Sequence, residues 1–171
     1  PVMACVHILV VGPAVRQMNE WDWNDPSSFS PAGIPGPDEE VLVRTGASIP
    51  ATVPMPRAIY VEAGAILGWS AVENPERLLA GGIISPALDL RGGTPIEFGG
   101  SAENASFGDS VVTMIAPISV GMTTAADTTF VGSGRFRATF GRANVTGAQF
   151  MGPVWLQLVY GGAELELGWL G

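Results

Sequence analysis

The sequence predicts a nearly all-β chain, and three observations carry that expectation. Glycine (23) and proline (14) are spread through all 171 residues, where they punctuate short apolar runs as in a β-sandwich or barrel. Those runs are rich in β-branched and aromatic residues, which suit a pleated, half-buried surface. The last of them doubles back around Gly161-Gly162, a two-residue loop that accepts the positive φ angles of tight hairpins. The length fits one domain spanning 1–171.

Taken in order, Val2–Val11 reads as the first strand, closed by Gly12-Pro13. Residues 12–40 read as a long loop or arm. Pro26, Pro31, Pro35 and Pro37 exclude a regular helix or a central strand there. Val41–Thr45, Arg57–Glu62 and Ala65–Ser70 read as strands, with extended chain forced by Pro50, Pro54 and Pro56 between the first two. Asn74–Ala80 carries the single helical signal: Asn74 as cap, Pro75 at the first helical position and Gly81 as stop. Strand-like runs follow at Ile83–Leu90, Thr94–Phe98, Ser110–Val120 and Thr128–Phe140. In Arg135–Phe140, Phe136, Ala138 and Phe140 should face one way, and Arg135, Arg137 and Thr139 the other. Gly132 and Gly134 mark a bulge or bend before that run. In the final hairpin, Tyr160 should face Ala163, Leu158 face Leu165, Leu156 face Leu167 and Val154 face Trp169. No internal repeat is evident.

Charge narrows the function classes. Charged residues are 14% of the chain, against about 25% in typical proteins. A surface short of charge points to covering partners. The net charge of −8 argues against nucleic acid, whose binding needs a basic face. All eight basic residues are Arg, which excludes lysine chemistry such as a P-loop lysine or a Schiff base. The bias fits GC-rich coding or selection for bidentate Arg pairs. A lone cysteine, Cys5, permits neither an intrachain disulfide nor a cysteine-rich zinc site. Val2–Val11 is shorter than the roughly 20 helical residues of a membrane span and lacks the basic leader of a signal peptide.

Catalytic sets are hard to assemble. His7, the one histidine, sits in an apolar strand between Cys5 and Leu9 and reads as structural. Gly108-Asp109-Ser110 is similar to the nucleophile block of a lipase and esterase family, but it lacks the downstream histidine and reads as a turn into a strand. Asp22, Asp25, Asp38, Glu39 and Glu40 gather in the long loop without EF-hand spacing, so they read as a solvated acidic loop, with a hard-cation site as the alternative. Asn104-Ala105-Ser106 and Asn144-Val145-Thr146 match the glycosylation sequon, a match frequent by chance. No catalytic, cofactor or metal residues are expected, and the chain is not expected to be an enzyme.

The residues left are those of an interface. Trp21 and Trp23 flank Asp22 and should face one side on extended chain. They could cover the core, anchor a partner or stack sugar rings. With Phe29 they are the anchors proposed for the arm. Arg135, Arg137 and Arg142 form a basic patch that reads equally as a solvated strand face or as a contact between subunits, complementary to the acidic 20–40 loop with Asp38, Glu39 and Glu40.

In length, strand spacing and Gly/Pro/Arg bias the chain resembles the small single β-barrel (jelly-roll) capsid proteins of tailless, icosahedral, membrane-containing bacteriophages. The resemblance implies an eight-stranded jelly roll of two four-stranded sheets. It implies a virion protein that self-assembles into an icosahedral shell with copies of itself and other capsid proteins, near an internal membrane and not touching the genome. A phage head decoration or fibre protein is the alternative in the same class. A carbohydrate-binding β-sandwich, with Trp21 and Trp23 as the platform, is the alternative from another class.

Overall fold

The structure is a computed structural model and describes residues 15–92, 95–160 and 163–170. The predicted strand Val2–Val11, with Cys5 and His7, lies outside the described residues, as do Gly161 and Gly162. The first half carries β1 (Val15–Met18), β2 (Phe29–Ser30), β3 (Glu40–Val43), β4 (Gly46–Ile49), β5 (Ala58–Val61), β6 (Ile66–Trp69), β7 (Arg77–Ile84) and β8 (Leu88–Arg91). The second carries β9 (Ile96–Gly108), β10 (Val111–Ala126), β11 (Thr129–Gly132), β12 (Gly134–Asn144), β13 (Gln149–Met151), β14 (Val154–Tyr160) and β15 (Ala163–Leu170). A 3-10 turn, Pro26–Ser28, precedes β2. No α-helix occurs among the described residues.

The all-β expectation holds, but the jelly roll does not. Successive strands pair in parallel: β1 with β3, then β5, β7, β9, β10, β12 and β14. A jelly roll is built from antiparallel pairs. Here antiparallel pairing is confined, among the described residues, to β1 with β2 and β14 with β15. The chain therefore winds in coils stacked at the usual rung spacing of about 4.8 Å, the arrangement of a β-solenoid. Met18, Val43, Val61, Ala80, Gly100, Ile118, Phe136 and Leu156 stand directly above one another. After a first step of 25 residues, each coil takes 18 to 20. That is an internal repeat, missed in the sequence because the stacked positions vary from Gly to Phe while sharing only their inward direction.

Each full coil has three sides. β9 shows them in one strand: Glu97–Gly100 pairs with the start of β7, Ser101 and Ala102 with its end, and Ala105–Gly108 with β8. In the second and third coils the third side is proline-bearing chain, residues 50–57 and 70–76, without strand. The predicted helix at 74–80 is overturned for the same reason. Arg77–Ala80 pairs with β5 on one edge and β9 on the other, and Leu78 and Ala80 alternate into the core. Tertiary pairing outweighs a one-turn capping signal.

Inward side chains form one cluster running from Met18 to Leu156. In the later coils it is aromatic: Phe98, Phe107, Phe130, Phe136 and Phe150 touch in sequence, with Phe130 within 5.2 Å of three other rings. The alternation read in Arg135–Phe140 is present, with Phe136 and Ala138 buried and Arg135 and Thr139 exposed. Gly132 and Gly134, both at φ +132, form the bend expected before it. The terminal hairpin keeps the expected pairs Tyr160–Ala163 and Leu158–Leu165. A register shift after Gln157 then sets Leu156 opposite Gly168 and Val154 opposite Leu170, in place of Leu167 and Trp169.

Corners repeat as well as sides. Asp109 (φ +48) and Asp127 (φ +51) occupy the left-handed region, one coil apart, between Gly92 below and Gly147 above. Aspartate tolerates this region because its short polar side chain bonds locally. The backbone amides of Asp109 and Asp127 donate to the carbonyls of Ala126 and Thr146 on the next coil, at 3.1 and 2.9 Å. Gly108-Asp109-Ser110 is thus a turn leading into a strand, as its residues predicted, and Ser110 is buried.

Candidate functional site

The structure separates the aromatic anchors of the supposed arm. Trp23 is fully buried and packs edge-on against Phe29, itself buried, with ring centroids 5.5 Å apart. Trp21 is 57% exposed and lies across Gly46, where an added Cβ would come within 2.7 Å of its ring. The two tryptophans therefore form neither a shared anchor nor a sugar platform. The backbone between them turns at Asp22, whose carboxylate accepts from the Asn24 amide at 2.9 Å. Residues 15–40 supply Met18, Trp23 and Phe29 to the core and so close the first end of the stack.

The acidic cluster is dispersed into local work. Asp25 caps the 3-10 turn, and the Ser27 hydroxyl and amide that donate to it hold its carboxyl below the usual carboxylate range. Glu39 accepts from the Arg16 guanidinium at 2.8 Å and from the Gly36 amide at 2.8 Å, and these bonds likewise lower its pKa. Glu40 pairs with Arg57, and Asp38 is exposed. Among the described residues, no group of three or more His, Cys, Asp or Glu is placed to hold a metal ion.

Arg135 is exposed and Arg137 half-buried on β12; the Arg142 side chain lies outside the described residues. The acidic residues belong to the coil of Val43 and the arginines to that of Phe136, five rungs further on, roughly 24 Å at the spacing of parallel strands. The structure does not bring the two sets together within the chain.

Sequence reasoning missed an outward stripe. On the first side, Gln17, Leu42, Tyr60, Leu79 and Gly99 stack in register, all pointing away from the core. Gln17, Leu42, Tyr60 and Leu79 floor a groove of about 720 Å³. Its far end is walled by Ala116 and Pro117, where β10 bulges between Met114 and Ile118. Gly99 lies beneath that bulge, because an added Cβ there would meet the Ala116 Cβ at 2.6 Å. Arg44 and Glu62 form one rim; Arg44 donates to Glu62 at 3.4 Å and to Gln17 at 3.2 Å. The other flank carries Glu40, Arg77 and Glu97. Arg77 bonds Glu97 and reaches the Tyr60 phenol, both of which raise its pKa further. The signal was present as apolar residues at both strand faces of Val41–Val43 and Ile59–Val61.

The last coil is the other distinctive surface. Val145, Met151 and Tyr160 are exposed, and Phe140, Phe150 and Leu158 are only partly covered beside an open cavity of about 170 Å³. β15 ends the strand order, and among the described residues no strand pairs with its far edge. No family model matches the chain, and no curated protein or solved structure is significantly similar to it.

Proposed function

We propose that this protein is a virion structural component that works by binding other protein chains through the open end of its solenoid, as a head decoration or fibre element. One observation carries the reading: the two ends of the stack are built differently. Among the described residues, the core at the first end is covered by Trp23, Phe29 and the 3-10 turn. The last ends in β15, whose far edge pairs with no strand among the described residues, and its coil exposes Val145, Met151 and Tyr160. Solenoids need a polar cap to stay apart from one another, and an uncovered strand edge is a template for pairing.

The virion assignment draws on the low charge and the resemblance described above. The shell-forming version drew on an antiparallel barrel; a stack of parallel coils favours the decoration or fibre version. A net charge of −8 agrees with a position away from the genome. The partners are further copies of this chain or other capsid proteins.

Light scattering after size exclusion tests the reading, alone and with empty phage heads. The wild type should oligomerise or bind heads, and the double variant Met151→Lys, Tyr160→Lys should do neither while keeping its circular-dichroism spectrum. A wild type that stays monomeric at high concentration and ignores heads would refute it. Deleting residues 14–38 is not a usable test, since it removes Met18, Trp23 and Phe29 from the core.

A further inference from the structure

We propose that the groove on the first side binds a neutral oligosaccharide lying along the solenoid axis, across the rungs. The floor runs from Gln17 to Leu79 over three rung spacings, roughly 14 Å, long enough for two to three linked rings before the wall at Ala116 and Pro117. Its volume of about 720 Å³ falls within the range of ligand sites. Leu42, Tyr60 and Leu79 offer an apolar surface with one aromatic ring, and the C–H faces of sugar rings pack on such surfaces.

The polar groups match hydroxyls. Gln17, Arg44 and Glu62 stand together on one rim, bonded to one another at 3.2 and 3.4 Å. Those bonds use one Gln17 oxygen, one Glu62 oxygen and two Arg44 nitrogens, leaving an amide nitrogen, a carboxylate oxygen and a guanidinium nitrogen. These planar groups donate and accept side by side, as a vicinal pair of hydroxyls requires.

Charge selects the class. Arg44 is balanced by Glu62, and Arg77 by Glu97, so neither flank offers an uncompensated charge to a phosphate, sulfate or amine. An extended peptide fits less well. The floor is the face of a sheet and not its edge, so it provides no ladder of backbone partners. A peptide laid there would bury its own amides unpaired, at a cost. Sugar hydroxyls at the rims remain within reach of side chains and water.

The experiment is a titration of the full chain with maltohexaose, cellohexaose, xylohexaose, mannohexaose and chitohexaose, read by saturation-transfer NMR and calorimetry. At least one should bind. Tyr60→Ala should weaken it by about tenfold or more, and Tyr60→Phe should retain it. Leu79→Glu, which places a charge on the floor without touching the core, should abolish it. Tyr160→Ala, outside the groove, should change nothing. Absence of binding across the panel overturns the proposal, as does binding unaltered by both Tyr60→Ala and Leu79→Glu, or displacement of the sugar by an uncharged apolar peptide. The groove belongs to the first six coils and the open end to the last, so loss of assembly in the Met151→Lys, Tyr160→Lys variant leaves this readout intact.

Discussion

The early and late coils hold their rungs together by different means. From β1 to the start of β9, arginine and carboxylate reach from one coil to another on the outside: Arg16 to Glu39, Arg44 to Glu62, Arg57 to Glu40 and Arg77 to Glu97. From β9 to β14, the connection is internal, through five touching phenylalanines. The early coils have short strands and proline-bearing third sides; the late coils have strands of 11 to 16 residues that turn corners without breaking. Exposed ion pairs contribute little each, on the order of 0–1 kcal/mol, whereas a buried ring contributes several times more. The late coils should therefore be the more firmly held half.

Phe130 tests that contrast most severely. It touches Phe107, Phe136 and Phe150, and Phe130→Ala should cost about 3–5 kcal/mol in chemical denaturation, with hydrogen exchange rising first between 96 and 160. Comparable loss of protection across 40–91 would mean that the two halves unfold as one. Gly147→Ala should cost less, on the order of 1–3 kcal/mol, because φ +75 suits glycine and the added Cβ would meet Asp127 Oδ1 at 2.1 Å. Trimming the neighbour in Gly147→Ala, Asp127→Gly should recover part of that loss, and no recovery would discount the clash.

The outer ion pairs give smaller, condition-dependent effects. The folded pKa of Glu39 is lowered by Arg16 and the Gly36 amide. Its contribution is therefore present above the ordinary glutamate value of about 4.5 and is lost as pH falls through the lower folded value. Urea midpoints of wild type and Glu39→Gln should differ at pH 6 and converge towards pH 3; a constant gap would remove the ion pair as the cause. Smallest of all, Arg77→Met should shift stability by under about 1 kcal/mol, and 1 M salt should shrink that difference. A salt-insensitive loss would assign Arg77 a packing role beside Tyr60.

The same contrast explains what was legible in the sequence. The alternation of Arg135–Phe140, the bend at Gly132 and Gly134 and the pairing of Tyr160 with Ala163 were readable because each is local. Parallel against antiparallel stacking was not. Parallel sheets usually read as continuous apolar runs because both faces are covered, but a solenoid leaves its outer face bare and alternates like a sandwich. Polar stretches such as Ser101–Ser106 gave no strand signal, yet they continue β9 because neighbouring coils pair with them on both edges. The site was less legible still. Trp21 and Trp23, two positions apart, should share a side on regular extended chain, but the turn at Asp22 sends one ring inward and leaves the other outside. Leu42, Tyr60 and Leu79 come together only through register between coils 18 and 19 residues apart, a distance over which no local pattern speaks.

That register has a further consequence. Because Val111 stacks under Thr129 and Val112 over Ile96, residues 111–128 make one turn of the winding, and excising those 18 residues would bring Phe130 of β11 onto Ile96 of β9 with inward residues still inward. Size in such a molecule is a quantity that can be dialled by whole turns, by duplication or loss in the gene, without redesigning either extremity. A shortened descendant would differ from its parent chiefly as a shorter ruler differs from a longer one.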